Sequence, residues 1–304
     1  MAIFLDALAP LFGLILVGAL MRRLDFPGDA FWPLAERLTY YVLFPAMLFY
    51  RLGNAHVPLK VLIETGGFMA LMLTAMIACL LVVQALVRWH GPVFSSFFQG
   101  GLRFNAFVGL AAAEALLGDP LLPVFAVAMA IQIPLINLAC IVMFLCAVGE
   151  GRTGAAGVLK AIARNPLIIG SVAGAFWGAT GIGFHPLVGG MLEPLSGMTL
   201  PLGLLTVGAG LRVRALRGAS MPFAASAGAK LLLFPLVTTG LIALTDVSPP
   251  IAQAAILLSA LPAASSSYIL ARQLGGDAPL MAAIVSGETL LAMATMPLVL
   301  SLLR

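Results

Sequence analysis

The chain has 304 residues, of which 62% are hydrophobic and only 9% charged, with a mean hydropathy of +1.10. A soluble domain of this size carries roughly a quarter charged residues, so the composition excludes an ordinary globular enzyme and reads as an all-α polytopic membrane protein. The formal net charge of +4 does not point to nucleic acid, because the basic residues fall between apolar segments, where membrane topology accounts for them.

Ten spans are expected, near 3–21, 33–51, 61–87, 93–117, 120–148, 165–183, 187–211, 221–244, 250–271 and 278–303. The opening MAIFLDALAP lacks the basic region of a cleavable signal, so the first segment is expected to remain as a span. The second carries Pro45. The fourth reads SSFFQGGLRFNAFVGLAAAEALLG and holds Gly100, Gly101, Arg103 and Asn105. Glycine loosens a helix and asparagine tolerates unusual backbone angles, so a break is expected here. The fifth has Gln132 before Pro134, with Asn137 beyond. A basic, glycine-containing linker, GEGRTGAAGVLKAIAR, occupies 149–164. The seventh span carries Pro201, and the eighth carries Lys230.

The ninth span, IAQAAILLSALPAASSSYILAR at 251–272, has Pro262 and then Ser265, Ser266 and Ser267 in its middle. Proline removes a backbone donor and clashes with the preceding turn. In hydrocarbon, unpaired backbone groups are tolerated only in protein or beside a wet cavity. A second break is therefore expected here. The serines either bind a ligand or bond back to the freed carbonyls. The tenth span holds Glu288, a membrane carboxylate and so a functional candidate. It either exchanges a proton, binds a cation, or pairs with Arg103 or Lys230. These two cations in turn either snorkel or place positive charge in a cavity.

Cys79, Cys140 and Cys146 show no metal or disulfide spacing and read as small buried hydrophobes. His56, His90 and His185 sit at span ends. Neither a metal nor another cofactor is expected. An intramembrane enzyme would need a nucleophile–base pair, two aspartates or a histidine cluster, and the spans offer none.

Of the 16 basic residues, 11 lie in alternate connections: Arg22, Arg23, Arg37, Arg88, Arg152, Lys160, Arg164, Arg212, Arg214, Arg217 and Arg272. The opposite side has Arg51, Lys60 and Arg304. The positive-inside rule puts both termini outside, with an even number of spans. The halves also echo each other in order. Pro10-Leu11 answers Pro166-Leu167, Pro45 answers Pro201, Gly118-Asp119 answers Gly276-Asp277, and Pro134-Leu135 answers Pro297-Leu298. Five spans per half, 1–148 and 165–304, make an inverted-topology repeat, a common secondary-transporter plan. With the two Gly-Asp pairs in register, Phe104-Asn105 falls opposite Pro262-Ala263. Half-helix N-termini meeting there would suit a small anion.

The strings ALPAASSSYILARQLGGDAPLMAAIVS (260–286), NPLIIGSVAGAFWGATGI (165–182), PLGLLTVGAGL (201–211), AKLLLFPLV (229–237) and RFNAFVGLAA (103–112) resemble the auxin efflux carrier family through nearly the whole chain. The resemblance implies two inverted five-helix repeats, a scaffold of spans 1, 2, 6 and 7, and a transport domain of spans 3–5 and 8–10. It implies that broken spans 4 and 9 cross at a substrate site, with Asn105 and Gln132 matching polar positions there. It also implies an elevator-type carrier of a small organic anion, such as malonate, malate or an auxin-like acid, in a bacterial inner membrane. A homodimer through the scaffold is one assembly this reading allows. The alternatives are a sodium-coupled bile-acid-type symporter and a passive anion channel. Three departures stand out: no proline soon follows Asn105, serines replace the span-9 asparagine, and Glu288 stands where small hydroxyl residues are usual.

Overall fold

The computed structural model describes residues 2–55, 58–118, 121–149, 164–218 and 221–302. The linker at 150–163, with Arg152 and Lys160, lies outside them, as do His56, Asp119 and Arg304. The described chain is helical without a strand: α1 Ala2–Arg23, α2 Phe31–Leu38, α3 Phe44–Gly53, α4 Leu59–Val87, α5 Gly91–Leu102, α6 Ala106–Leu116, α7 Leu122–Val148, α8 Pro166–Thr180, α9 Pro186–Ala209, α10 Met221–Gly228, α11 Phe234–Leu244, α12 Pro249–Ala260, α13 Ser266–Gln273 and α14 Ala278–Leu302.

Among the described residues, five stretches are long and apolar enough to cross a membrane: Phe4–Arg23, Leu59–Val87, Leu122–Val148, Met221–Leu244 and Ala278–Leu302. Their outer faces carry Leu16, Leu20, Ile63, Val82 and Leu236, all exposed. In water these would form a large apolar patch, whereas in lipid they are at home. The chain is a helical membrane protein.

Two long helical stretches contain a π turn, Thr39–Leu43 between α2 and α3 and Ala229–Leu233 between α10 and α11. Each is followed at once by Phe-Pro, Phe44-Pro45 and Phe234-Pro235. A proline gives no N–H to the preceding turn, and the widened turn takes up the mismatch without ending the helix. Pro45 therefore sits at a π-to-α junction. Pro201 lies inside the continuous α9.

The two most extensive helix pairings are α3 with α8 and α1 with α9. The first is permitted by Gly170, Gly174 and Gly178, one turn apart on α8, against the backbone of Pro45, Phe49 and Leu52. This small-xxx-small stripe lets two backbones approach closely. A Cβ on Gly174 would lie 2.9 Å from Phe49 Cα and from its carbonyl oxygen. Backbone cannot yield as a side chain does, so Gly174→Val is expected to destabilise the protein by about 1–3 kcal/mol. Thermal unfolding in detergent checks this, with Gly13→Ala, where a Cβ meets nothing within 4 Å, as the silent control.

The cysteines divide in the structure. Cys140 is buried, Cys79 is half-buried and Cys146 is exposed. Cys146 lies about 240° round α7 from Cys140 and so falls on another face.

Candidate functional site

Helix α5 runs through Gly100 and Gly101 and ends at Leu102. The interruption thus falls at 103–105, two residues beyond the glycines. These two residues serve packing: a Cβ on Gly100 would strike Ser226 and Ile284, and one on Gly101 would strike Leu80. Helix α6 restarts at Ala106. Asn105 is its N-cap, with Oδ1 accepting from the N–H of Phe107 at 3.1 Å and of Val108 at 3.2 Å. The cap satisfies two of the N–H groups that a helix start leaves free.

The second interruption runs from Leu261 to Ser265, between α12 and α13. The two breaks touch: the Asn105 N–H donates to the Pro262 carbonyl at 2.8 Å. The next amide, Ala263 N–H, donates to Glu288 Oε2 at 3.0 Å. Glu288 Oε1 accepts from the Ser226 hydroxyl at 2.9 Å. The carboxylate therefore holds the extended segment after Pro262 against α10 and α14.

Glu288 and Lys230 are fully buried. The Lys230 ammonium makes no hydrogen bond among the described residues. It lies 4.6 Å from the centroid of the Phe234 ring. Arg103 does not partner Glu288. Its Nη1 donates to Asn137 Oδ1 at 2.8 Å and its Nη2 to the Ser266 hydroxyl at 3.0 Å, which ties α7 to the start of α13.

Beside the breaks lies a cavity of about 90 Å³ lined by Arg103, Asn105, Ala264, Ser265 and Ser266, with Glu36, Tyr40 and Phe44 opposite. It continues into an outer space of about 560 Å³ between Pro33, Arg37, Tyr41, Ile141 and Gln273. Several donors are left over at the inner end. Arg103 Nε and Asn105 Nδ2 are buried without a hydrogen-bond partner among the described residues. The N–H groups of Ala264 and Ser265 make no hydrogen bond among the described residues. These spare donors and the N-terminal ends of α6 and α13 make this end of the cavity attractive to an anion.

The other residues singled out from sequence fall nearby but not on the cavity wall. Ser267 is buried with an unpartnered hydroxyl, while its carbonyl accepts from Gln99 Nε2 at 3.1 Å. Gln132 is buried with a free Oε1. Pro262 is buried and uses its carbonyl on Asn105. None of the three serine hydroxyls bonds back to a freed carbonyl among the described residues. Ser266 accepts from Arg103 instead. Sequence reasoning passed over Glu36, Tyr40, Ser226 and Gln99. Only an acidic residue at the head of a span, in AERLTYY (35–41), offered a signal for the first two.

A helical membrane protein with a donor-lined crevice where two interrupted helices touch is the class that this fold and site define. Residues 152–300 match the family model described as membrane transport protein. That stretch is similar to the membrane transport protein family, and the likeness to the auxin efflux carrier family read from the sequence is borne out. The chain is also 27% identical over 313 aligned positions to a Rhizobium meliloti (strain 1021) protein described as "Putative malonate transporter", covering 97% of this chain and 94% of that one. Family and relative point to a transporter rather than an enzyme.

Proposed function

We propose that the protein is a secondary active transporter of a small organic anion, a carboxylate such as malonate, malate or an auxin-like acid, working by elevator-type alternating access. The observation that carries this reading is the cluster of spare donors, on Arg103, Asn105, Ala264 and Ser265, around the point where two broken helices meet. Broken helices in lipid line transport sites in many carriers. The name of the relative adds malonate as a first substrate to try.

In this reading the chain makes ten spans as two inverted five-helix repeats, 1–148 and 165–304, joined by the linker 149–164. Spans 1, 2, 6 and 7 form a scaffold, supported by the extensive pairing of α1 with α9 and α3 with α8. Spans 3–5 and 8–10 form the moving domain, and a homodimer would join through the scaffold. In a bacterial inner membrane with both termini periplasmic, the arginine-rich ends face the cytoplasm. The outer space beside Arg37 and Gln273 opens toward that side. On the other side, Phe44 and Phe107 pack with ring centroids 5.1 Å apart, and Arg51 pairs with Glu114 at 2.7 Å between α3 and α6. This arrangement fits an inward-open state.

Uptake of labelled malonate into proteoliposomes tests the proposal. A carrier gives saturable uptake and countertransport, whereas a channel gives large single-channel currents. Asn105→Ala removes two cap bonds and one spare donor and is expected to lower uptake at least about ten-fold at equal folded protein. Unchanged uptake in both Asn105→Ala and Pro262→Ala would sink the crossing-site reading. A requirement for sodium would favour a bile-acid-type symporter.

A further inference from the structure

The charges around the inner cavity do not suit a dianion. We infer that the cargo is carried as a monoanion, with one carboxylate held by Arg103 and Asn105 and an uncharged, hydrogen-bond-donating end turned toward Glu36. This rests on the reading of the cavity as the substrate site.

The inner cavity has one cationic side chain, Arg103, and one anionic side chain, Glu36. Arg103 spends one N–H of Nη1 on Asn137 and one of Nη2 on Ser266, which leaves three of its five N–H groups, the buried Nε–H among them. Asn105 Nδ2 is likewise unpartnered, on a residue only 2% exposed. These two buried donors supply one carboxylate-binding end. Glu36 lines both the inner and the outer space, and its carboxylate makes no ion pair or hydrogen bond among the described residues. The remaining groups around it that carry or can take charge are Arg37, Tyr40 and Tyr41 of its own span. Helix α7 contributes neutral Asn137, and α13 contributes neutral Ser266 and Gln273. Arg37 is exposed and lines only the outer space.

An empty inner cavity is thus formally neutral, with Arg103 and Glu36 ionised. A monoanion adds one negative charge beside the arginine and two helix N-termini. A dianion adds a second carboxylate, and the free carboxylate of Glu36 repels it in a site partly shielded from water. An ionised carboxylate only accepts hydrogen bonds. A far-end hydroxyl, or a protonated carboxyl, can donate to Glu36, whereas a far-end carboxylate cannot. The favoured cargo class is therefore hydroxy acids and the half-protonated form of dicarboxylic acids.

Isothermal titration of the purified full chain in alkaline buffer separates the possibilities. Malonate is there a dianion, and 3-hydroxypropanoate, of the same length, is a monoanion with a donor at its far end. Wild type is expected to bind 3-hydroxypropanoate at least about ten-fold more tightly than malonate. Glu36→Gln removes the repulsion and is expected to close most of that gap by raising malonate affinity. Malonate binding as tightly as 3-hydroxypropanoate in wild type, with no gain in Glu36→Gln, would overturn the monoanion selection. Arg103→Gln marks the other failure. If both anions bind wild type and that variant equally, the cavity is not the site, and the selection falls with it.

Discussion

Glu288→Ala is expected to destabilise the folded protein by about 2–5 kcal/mol, because two buried donors are left without their acceptor. Three groups lose their compensation at once. The Ala263 N–H and the Ser226 hydroxyl lose their acceptor. Lys230, fully buried and without a hydrogen bond among the described residues, loses the buried acid on the neighbouring helix. Lys230→Met leaves the reciprocal orphan and is expected to cost nearly as much. The combined variant Lys230→Met with Glu288→Gln should lose far less than the sum of the singles, because no uncompensated charge remains and the amide still accepts from Ala263. Thermal unfolding of the four proteins in detergent reads the cycle. Additive losses would show that the two charges do not compensate each other. The same Glu288→Gln chain in proteoliposomes addresses coupling, since a pH profile identical to wild type would remove Glu288 from any protonation step.

Arg103→Gln is expected to lower carboxylate uptake about a hundred-fold or more while leaving a folded protein. Losing a buried charge-assisted contact to an anion costs about 2–5 kcal/mol. The guanidinium is also the cross-link between Asn137 on α7 and Ser266 at the start of α13. Lysine at this position keeps the charge but cannot reach both partners and the cavity with one planar fork. Arg103→Lys is therefore expected to recover only a minor part of the uptake. Full recovery by lysine would mean that charge alone suffices and that the fork geometry is incidental.

The segments were legible because hydrocarbon imposes a long apolar run on anything that crosses it. The described α-helical stretches begin and end within a few residues of the expected segments, as at Leu59–Val87 for 61–87 and Met221–Leu244 for 221–244. Pro262 announced its break, since proline cannot donate a helical bond. Asn105 announced its own less plainly, and the expected loosening at Gly100 and Gly101 was displaced. Glycine permits a bend but equally permits close packing, and Ser226, Ile284 and Leu80 fill the space that these two leave. The glycine stripe of α8 went unread because its meaning depends on the helix it faces.

Composition, apolar run length and the two interruptions were thus determined by the sequence alone, because each is a local property of the chain in lipid. The tertiary structure decided which polar groups meet. It set the Asn105 amide on the Pro262 carbonyl, gave Glu288 to Ala263 and Ser226, and turned Arg103 away from Glu288 toward Asn137 and Ser266. It also brought Glu36 and Tyr40 from α2 and the π turn to the wall of a cavity built mostly by other spans. A polar side chain in a membrane helix must find a partner or a cavity. The choice between them is made by distant segments, and no local pattern records it.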